Sequence, residues 1–128
     1  MRFDFDSFIK IVKLAYERVG GSRYCLENIL YVFHYYFNAY EAKMKKVHPF
    51  ISVCQTADII KKMPYSNEFE LRPDDYEHLI DQHFATKYRR CDYNINHFFS
   101  GRIRDLRYFE HRREAANDIA YLLSDSLS

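Results

Sequence analysis

The residues best suited to chemistry lie in a basic, aromatic segment near the carboxyl-terminal end. Eight basic residues between Lys87 and Arg113 stand against Asp92, Asp105 and Glu110. If residues 96–113 form one helix, at 100° per residue five polar side chains fall within an arc of about 80°. They are His97, Ser100, Arg104, Arg107 and His111. Such a stripe can donate hydrogen bonds to phosphates, so the sequence predicts a nucleic-acid-binding face.

Internal pairing is the main alternative for this basic stripe. The segment from Glu68 to Asp81 contains six acidic residues and one basic residue, Arg72. Arginines of a neighbouring helix can pair with such an acidic helix, and this would occupy their donors. A protein-binding face is the third possibility. The sequence leaves all three open.

A second candidate surface comes from an aromatic-rich segment. Its rings cannot all point in one direction on a helix: Tyr31, Phe33, Tyr35, Tyr36, Phe37 and Tyr40. Either other helices surround this one, or some tyrosines form an exposed patch for a partner. Surrounding helices are the favoured interpretation. Tyr31 and Tyr35 are the candidate protein-binding residues if the patch exists.

Enzymatic signals are missing from the sequence. It contains no Gly-x-Gly-x-x-Gly, His-Glu-x-x-His or Gly-x-Ser-x-Gly motif and no phosphate-binding loop. Asp74, His78 and Asp81 share helical spacing, but one acidic helix face supplies these residue types by chance, and a zinc site needs convergent ligands. We therefore predict a non-enzymatic protein with no catalytic residue, metal or organic cofactor.

Two further residues have a structural and a chemical interpretation. His83 is in helical register with Leu79 and Phe84, which predicts a core histidine whose nitrogens are hydrogen-bonded; a histidine that switches or catalyses is the alternative. Cys91 follows two arginines that could lower its thiol pKa. No histidine is placed as its base, so a structural cysteine is favoured.

The hydrophobic spacing predicts the fold class. Apolar residues recur at helical spacing between scarce glycines and prolines. A first helix is expected from an Asp4 or Asp6 cap to Gly20, and a second, central helix from about Ser22 to Lys46. The expected fold is an all-α, compact bundle of five to six helices around this central aromatic-rich helix. Six residues are predicted to be core: Leu30, Phe33, Phe37, Ile80, Phe84 and Leu106.

The later helices are predicted from their capping signals. Ser52 with Gln55 forms a capping-box pattern, and Asp74 with Glu77 marks a helix that should end near Arg90. The segment 65–71 is expected to be a loop. Asn94 or Asn96 should begin the next helix, which could bend or restart near Ser100. A last helix is expected over residues 115–123, with the tail from about residue 124 frayed.

Length and composition predict one globular domain spanning residues 1–128. The chain is 48 % hydrophobic and 29 % charged, with a formal net charge of +1. The acidic start, with Asp4 and Asp6, and the lack of a long apolar run predict a cytoplasmic protein that does not enter a membrane. The three widely spaced cysteines are expected to be buried free thiols. The oligomeric state is not predicted.

The stretch Cys-Asp-Tyr-Asn-Ile-Asn-His-Phe-Phe-Ser-Gly at residues 91–101, followed by Ile103-Arg104, lies downstream of His48-Pro49. This pattern resembles a family of small helical proteins from Firmicutes and their mobile elements, over residues 35–108. A mobile-element context implies a DNA-linked role or an inhibitor of host defence, such as an anti-CRISPR protein. The resemblance assigns no activity and no site residue.

Overall fold

The all-α prediction is confirmed by a computed structural model. It describes residues 4–66, 69–88, 91–100, 103–104, 107–108 and 110–113. The helices in these ranges are α1 (Phe5–Val19), α2 (Leu26–Met44), α3 (Val53–Lys62), α4 (Asp75–Ala85) and α5 (Ile95–Phe99). The described residues from 103 onward are also helical. The predicted core residue Leu106, the helix over residues 115–123 and the tail lie outside the described residues.

Helix α1 begins and ends where the sequence predicts. The Asp4 side chain accepts a hydrogen bond from the Asp6 amide at 3.3 Å, which satisfies a donor of the first turn. Gly20 ends the helix with φ of 82°, a left-handed conformation that glycine adopts without steric cost. Helix α1 packs mainly against α3.

Helix α2 is the central helix, and it is shorter at both ends than predicted. It runs from Leu26 to Met44, and Lys45 terminates it in a left-handed conformation with φ of 57°. Its buried side carries Ile29, Val32, Phe33, Tyr36, Phe37 and Tyr40. Helix α4 packs against it.

The connection between α3 and α4 differs from the prediction. Ser52 and Gln55 form the expected capping box at the start of α3. The segment expected to be a loop contains a small antiparallel pair, β1 (Tyr65–Ser66) and β2 (Phe69–Glu70). Helix α4 then ends at Ala85 rather than near Arg90, because Thr86 takes an extended conformation.

The core is largely aromatic and is built around α2. Phe8 of α1 packs edge-on against Phe33 and Phe37, with ring centroids 5.2 and 5.3 Å away. On the other side Tyr36 lies 5.4 Å from Phe98 of α5. Of the predicted core residues, Phe33, Phe37, Ile80 and Phe84 are buried. Leu30 is only partly buried and packs against the edge of the core.

Within the part of the chain that the structure describes, none of the helices combines the length and the apolar character needed to cross a bilayer.

Candidate functional site

The predicted basic stripe assumes one continuous helix from residue 96, and this assumption is wrong. Helix α5 ends at Phe99, and Ser100 follows in an extended conformation with φ of −80° and ψ of 104°. The Ser100 amide and hydroxyl both donate to the carbonyl of His97, at 3.2 and 2.7 Å. Among the described residues after Ser100, Ile103 is the first that is helical. The angular relation between His97 and the later arginines therefore does not hold.

Arg104 is buried, with 6 % of its surface exposed, which corrects its predicted place on an exposed face. Its guanidinium donates to the carbonyl of Lys62 and, at 3.2 Å, to the hydroxyl of Tyr76. It also lies over the ring of Phe99, 5.2 Å from the centroid. Lys62 is the last residue of α3, so Arg104 satisfies a carbonyl at the negative end of that helix.

Arg107 is also engaged within the protein. It donates to the hydroxyl of Thr86 at 3.0 Å and pairs with Glu110 at 2.9 Å. Its side chain is 12 % exposed. Among the described residues, neither arginine is engaged by an acidic residue of α4, so the alternative in which both pair with that helix is wrong.

The other members of the stripe are separated from one another. His111 lies 3.9 Å from Asp75, and its ring lies beside that of His78, with centroids 4.2 Å apart and a tilt of 35° between the rings. His97 is partly buried, 6.2 Å from the ring of Tyr88. Of the five predicted residues, Ser100 alone is exposed.

The predicted pair Tyr31 and Tyr35 does lie at the surface, on one side of α2 facing α4. The Tyr31 ring is 42 % exposed and its hydroxyl donates to Glu77. The Tyr35 hydroxyl donates to Asp81 at 2.7 Å, and the two rings are 6.2 Å apart. We call these four residues the tyrosine–carboxylate face. The other phenylalanine and tyrosine rings of α2 are buried: Phe33, Tyr36, Phe37 and Tyr40.

Electrostatics on this face follow from its carboxylates. The hydrogen bond to Glu77 raises the pKa of Tyr31, and burial followed by the hydrogen bond to Asp81 raises the pKa of Tyr35. Both hydroxyls therefore stay protonated and act as donors. Asp74, the residue before α4, is also exposed.

The face carries negative charge that no ion pair among the described residues neutralises. Across the described ranges, neither Glu77 nor Asp81 forms an ion pair with a lysine, an arginine or a histidine. Glu27, one helical turn before Tyr31, is likewise exposed. Spacing four residues apart on both helices aligns the two tyrosines with the two carboxylates. The four-residue spacing is present in the sequence, but the sequence does not show which groups the acidic residues face.

His83 is a core histidine, as predicted, with both ring nitrogens hydrogen-bonded. The Tyr36 hydroxyl donates to the carbonyl of Tyr93 at 2.7 Å, so it accepts from Nε2 of His83 at 3.1 Å. The Tyr88 hydroxyl then donates to Nδ1 at 3.1 Å. Burial, with smaller contributions from His97 and Arg107, lowers the pKa of His83 to about 3. This neutral, fully bonded ring links α2, α4 and the segment that follows α4.

The cysteines and acidic clusters offer no additional site. Cys25 and Cys54 are exposed, which corrects the expectation of burial, and Cys91 is half-buried. Burial raises the pKa of the Cys91 thiol. Among the described residues, no three histidine, cysteine, aspartate or glutamate side chains are arranged to hold a metal ion.

Comparison with family models, with curated proteins and with solved structures gives no match for this chain. The resemblance to a mobile-element family therefore stays a prediction.

Proposed function

We propose that the chain is a non-enzymatic helical binding module that holds a basic segment of a protein partner on its tyrosine–carboxylate face. The observation that carries this proposal is the alignment of Tyr31 and Tyr35 with Glu77 and Asp81 on an exposed side of the bundle. Tyrosine is enriched at binding hot spots because its rigid ring buries a large area and its hydroxyl keeps a polar partner. The carboxylates select for lysine or arginine on the partner.

The geometry of the four residues favours a helix as the partner's binding element. Tyr31 and Tyr35 are one turn apart on α2, and Glu77 and Asp81 are one turn apart on α4. A partner helix repeats its own side chains at the same spacing. Basic residues four positions apart would therefore meet both carboxylates, while the stems of those residues cover the tyrosine rings.

Nucleic-acid binding has less support than protein binding. Arg104 and Arg107 each donate hydrogen bonds from Nη1 to groups within the protein, and the tyrosine–carboxylate face repels phosphates. In the basic segment 87–113, the described arginines that are exposed are Arg112 and Arg113. A mobile-element inhibitor that acts in the cytoplasm is one form of the proposed module, and its support is the sequence alone.

The test uses a helical, alanine-rich peptide with lysines four residues apart, and a matched peptide with glutamate in their place. Binding is followed by isothermal titration calorimetry and by amide chemical shifts. We expect the lysine peptide to bind, to weaken as salt is added, and to shift the amides around Tyr31 and Asp81. Equal binding of both peptides, or tighter binding of a DNA duplex, would contradict the proposal.

Variants assign the binding to the face. Glu77→Gln combined with Asp81→Asn should weaken binding of the lysine peptide about tenfold or more, since two attractive charges are removed. Tyr31→Ala should do the same, whereas Tyr31→Phe, which keeps the ring, should lose less. Glu17→Gln combined with Asp58→Asn removes two charges from exposed positions on α1 and α3 and serves as the matched control. An equal loss in this control would show that overall charge, and not the face, determines affinity.

A further inference from the structure

A cleft lies where the start of α1 meets the last turns of α2 and the chain that follows. Its volume is about 400 Å³, within the range of small-molecule sites. Aromatic rings form its wall: the Phe5 ring lies 4.7 Å from His34, and the Phe37 ring lies 4.8 Å from His48. Phe5 and Phe37 are 6.4 Å apart and join the two halves of this wall. We call this the α1–α2 cleft.

The polar groups of the cleft include two carboxylates beside an amide and two imidazoles. Glu41 and Asp4 contribute the carboxylates, and Asn38 contributes the amide. The Asp4 oxygens already accept from the Asp6 amide and the Ser7 hydroxyl. Glu41 is exposed and, among the residues described, makes no ion pair. It is therefore the carboxylate available to a ligand.

The position of the cleft along α2 adds to this negative potential. Glu41 lies in the last turn of the helix, which ends at Met44. The final carbonyls of a helix carry a partial negative charge and have no partner within the helix. The backbone amide of Lys45 satisfies one of them, the carbonyl of Glu41 itself, at 3.0 Å. A cation near Glu41 is favoured by both the carboxylate and the helix end.

His48 contributes a neutral ring to the wall. The Ile95 amide donates to its Nε2 at 3.0 Å, so the proton sits on Nδ1, which donates to the carbonyl of Pro49 at 2.8 Å. Burial lowers the pKa of His48 and keeps the ring uncharged. It therefore places no positive charge against a bound cation.

We propose that the α1–α2 cleft binds a small organic cation, an amine carried on a flat, apolar body. The ammonium group pairs with Glu41 at the end of α2, and the apolar body packs against Phe5 and Phe37. Aromatic faces attract cations as well as apolar groups, so the wall suits both parts of such a ligand. The site shares no residue with the tyrosine–carboxylate face, so each proposal can fail without the other.

The probe is phenethylamine, compared with 2-phenylethanol and phenylacetate, which have a similar body and carry no charge or a negative charge. Each is titrated into the isotope-labelled protein, and backbone amide shifts are mapped. We expect phenethylamine to shift amides at Phe5, Asn38 and Glu41 and to bind about fivefold more tightly than the alcohol. Phenylacetate should show no measurable binding. Scattered shifts, or equal binding of the anion, would overturn the proposal.

A charge-removing variant ties the amine to its carboxylate. Glu41→Gln should weaken binding of phenethylamine about fivefold and leave the affinity for 2-phenylethanol unchanged, because only the ammonium loses its partner. Glu27→Gln removes an exposed glutamate at the other end of the same helix and should not change either ligand. Thermal melting confirms that both variants are folded. Unchanged phenethylamine affinity in a folded Glu41→Gln protein would show that Glu41 is not the anchor.

Discussion

Three buried or half-buried tyrosines determine the protonation state of His83. The Tyr36 hydroxyl has a single hydrogen and donates it in a hydrogen bond to the carbonyl of Tyr93. His83 must therefore donate to Tyr36 through Nε2. Nδ1 is then the acceptor for Tyr88. A protonated ring would require the Tyr88 hydroxyl to change from donor to acceptor and would place a charge in the aromatic core. The network therefore favours the neutral imidazole.

We predict that His83 makes the protein less stable in mild acid. An unfolded histidine gains its proton near pH 6.5, whereas His83 in the fold does so near pH 3. Between these values the unfolded state binds more protons, so stability falls as the pH decreases from 6.5. The contribution lost between pH 7.5 and pH 5 is about 2 kcal/mol, from a maximal slope of about 1.4 kcal/mol per pH unit. Urea unfolding at both pH values measures it.

The variant His83→Gln tests the assignment. Glutamine keeps a donor and an acceptor but does not titrate, so the variant is less stable at pH 7.5 and loses about 2 kcal/mol less on going to pH 5 than the natural chain does. Imidazole resonances followed by NMR supply an independent check. A His83 ring that titrates near pH 6 in the folded protein would contradict the prediction.

The sequence predicts the burial of a single residue when the residue and its apolar neighbours lie within one unbroken helix. His83 lies within one helix, α4, four residues from Leu79, so its burial could be predicted from spacing. Its partners could not be predicted, because Tyr36 and Tyr93 are distant in sequence and meet it through tertiary packing. The cleft containing Glu41 was missed for the same reason.

At the scale of elements, capping residues predicted both ends of α1 and the start of α3, whereas the ends of α2, the end of α4 and helix continuity were predicted poorly. The signals at Asp4, Gly20 and Ser52 are local, and the structure follows them. The basic stripe depended on a helix continuing through Ser100, and an interruption there changes the direction of every later side chain. This explains why Arg104, predicted to be on the surface, is inside the bundle.

We predict that Arg104 stabilises the end of α3. The variant Arg104→Ala should lose about 2 to 3 kcal/mol of unfolding free energy, because it removes charge-assisted hydrogen bonds to the Lys62 carbonyl and the Tyr76 hydroxyl. Chemical denaturation measures the loss, and hydrogen exchange should show faster opening of the last turn of α3.

Exposed Arg112 provides the matched control for this element. Arg112→Ala should change stability by less than about 0.5 kcal/mol, as expected for a surface position without a structural partner. If Arg104→Ala proves equally mild, the guanidinium does not support the end of α3.

At the scale of the whole molecule, the aromatic core connects elements that are far apart in sequence. Phe8 in α1 touches Phe33 and Phe37 in α2. On another side of α2, Tyr36 touches Phe98 in α5 and Phe84 in α4. Composition and periodicity were enough to predict a helical bundle with α2 at its centre. They could not predict which helices pair, since α1 packs mainly on α3 and α2 on α4.

A substitution in this core should therefore affect the entire fold and not one helix. Phe33 is fully buried and packs against rings of α1 and of its own helix. We expect Phe33→Ala to cost about 3 to 5 kcal/mol, from lost burial and the cavity left behind, and to lower the midpoint of a single cooperative transition. Phe50 is 58 % exposed, so Phe50→Ala should cost less than about 1 kcal/mol. Denaturation followed by circular dichroism and by tyrosine fluorescence measures both variants. If the two probes gave separate transitions for Phe33→Ala, or if its loss matched that of Phe50→Ala, α2 would not be the shared centre of the core.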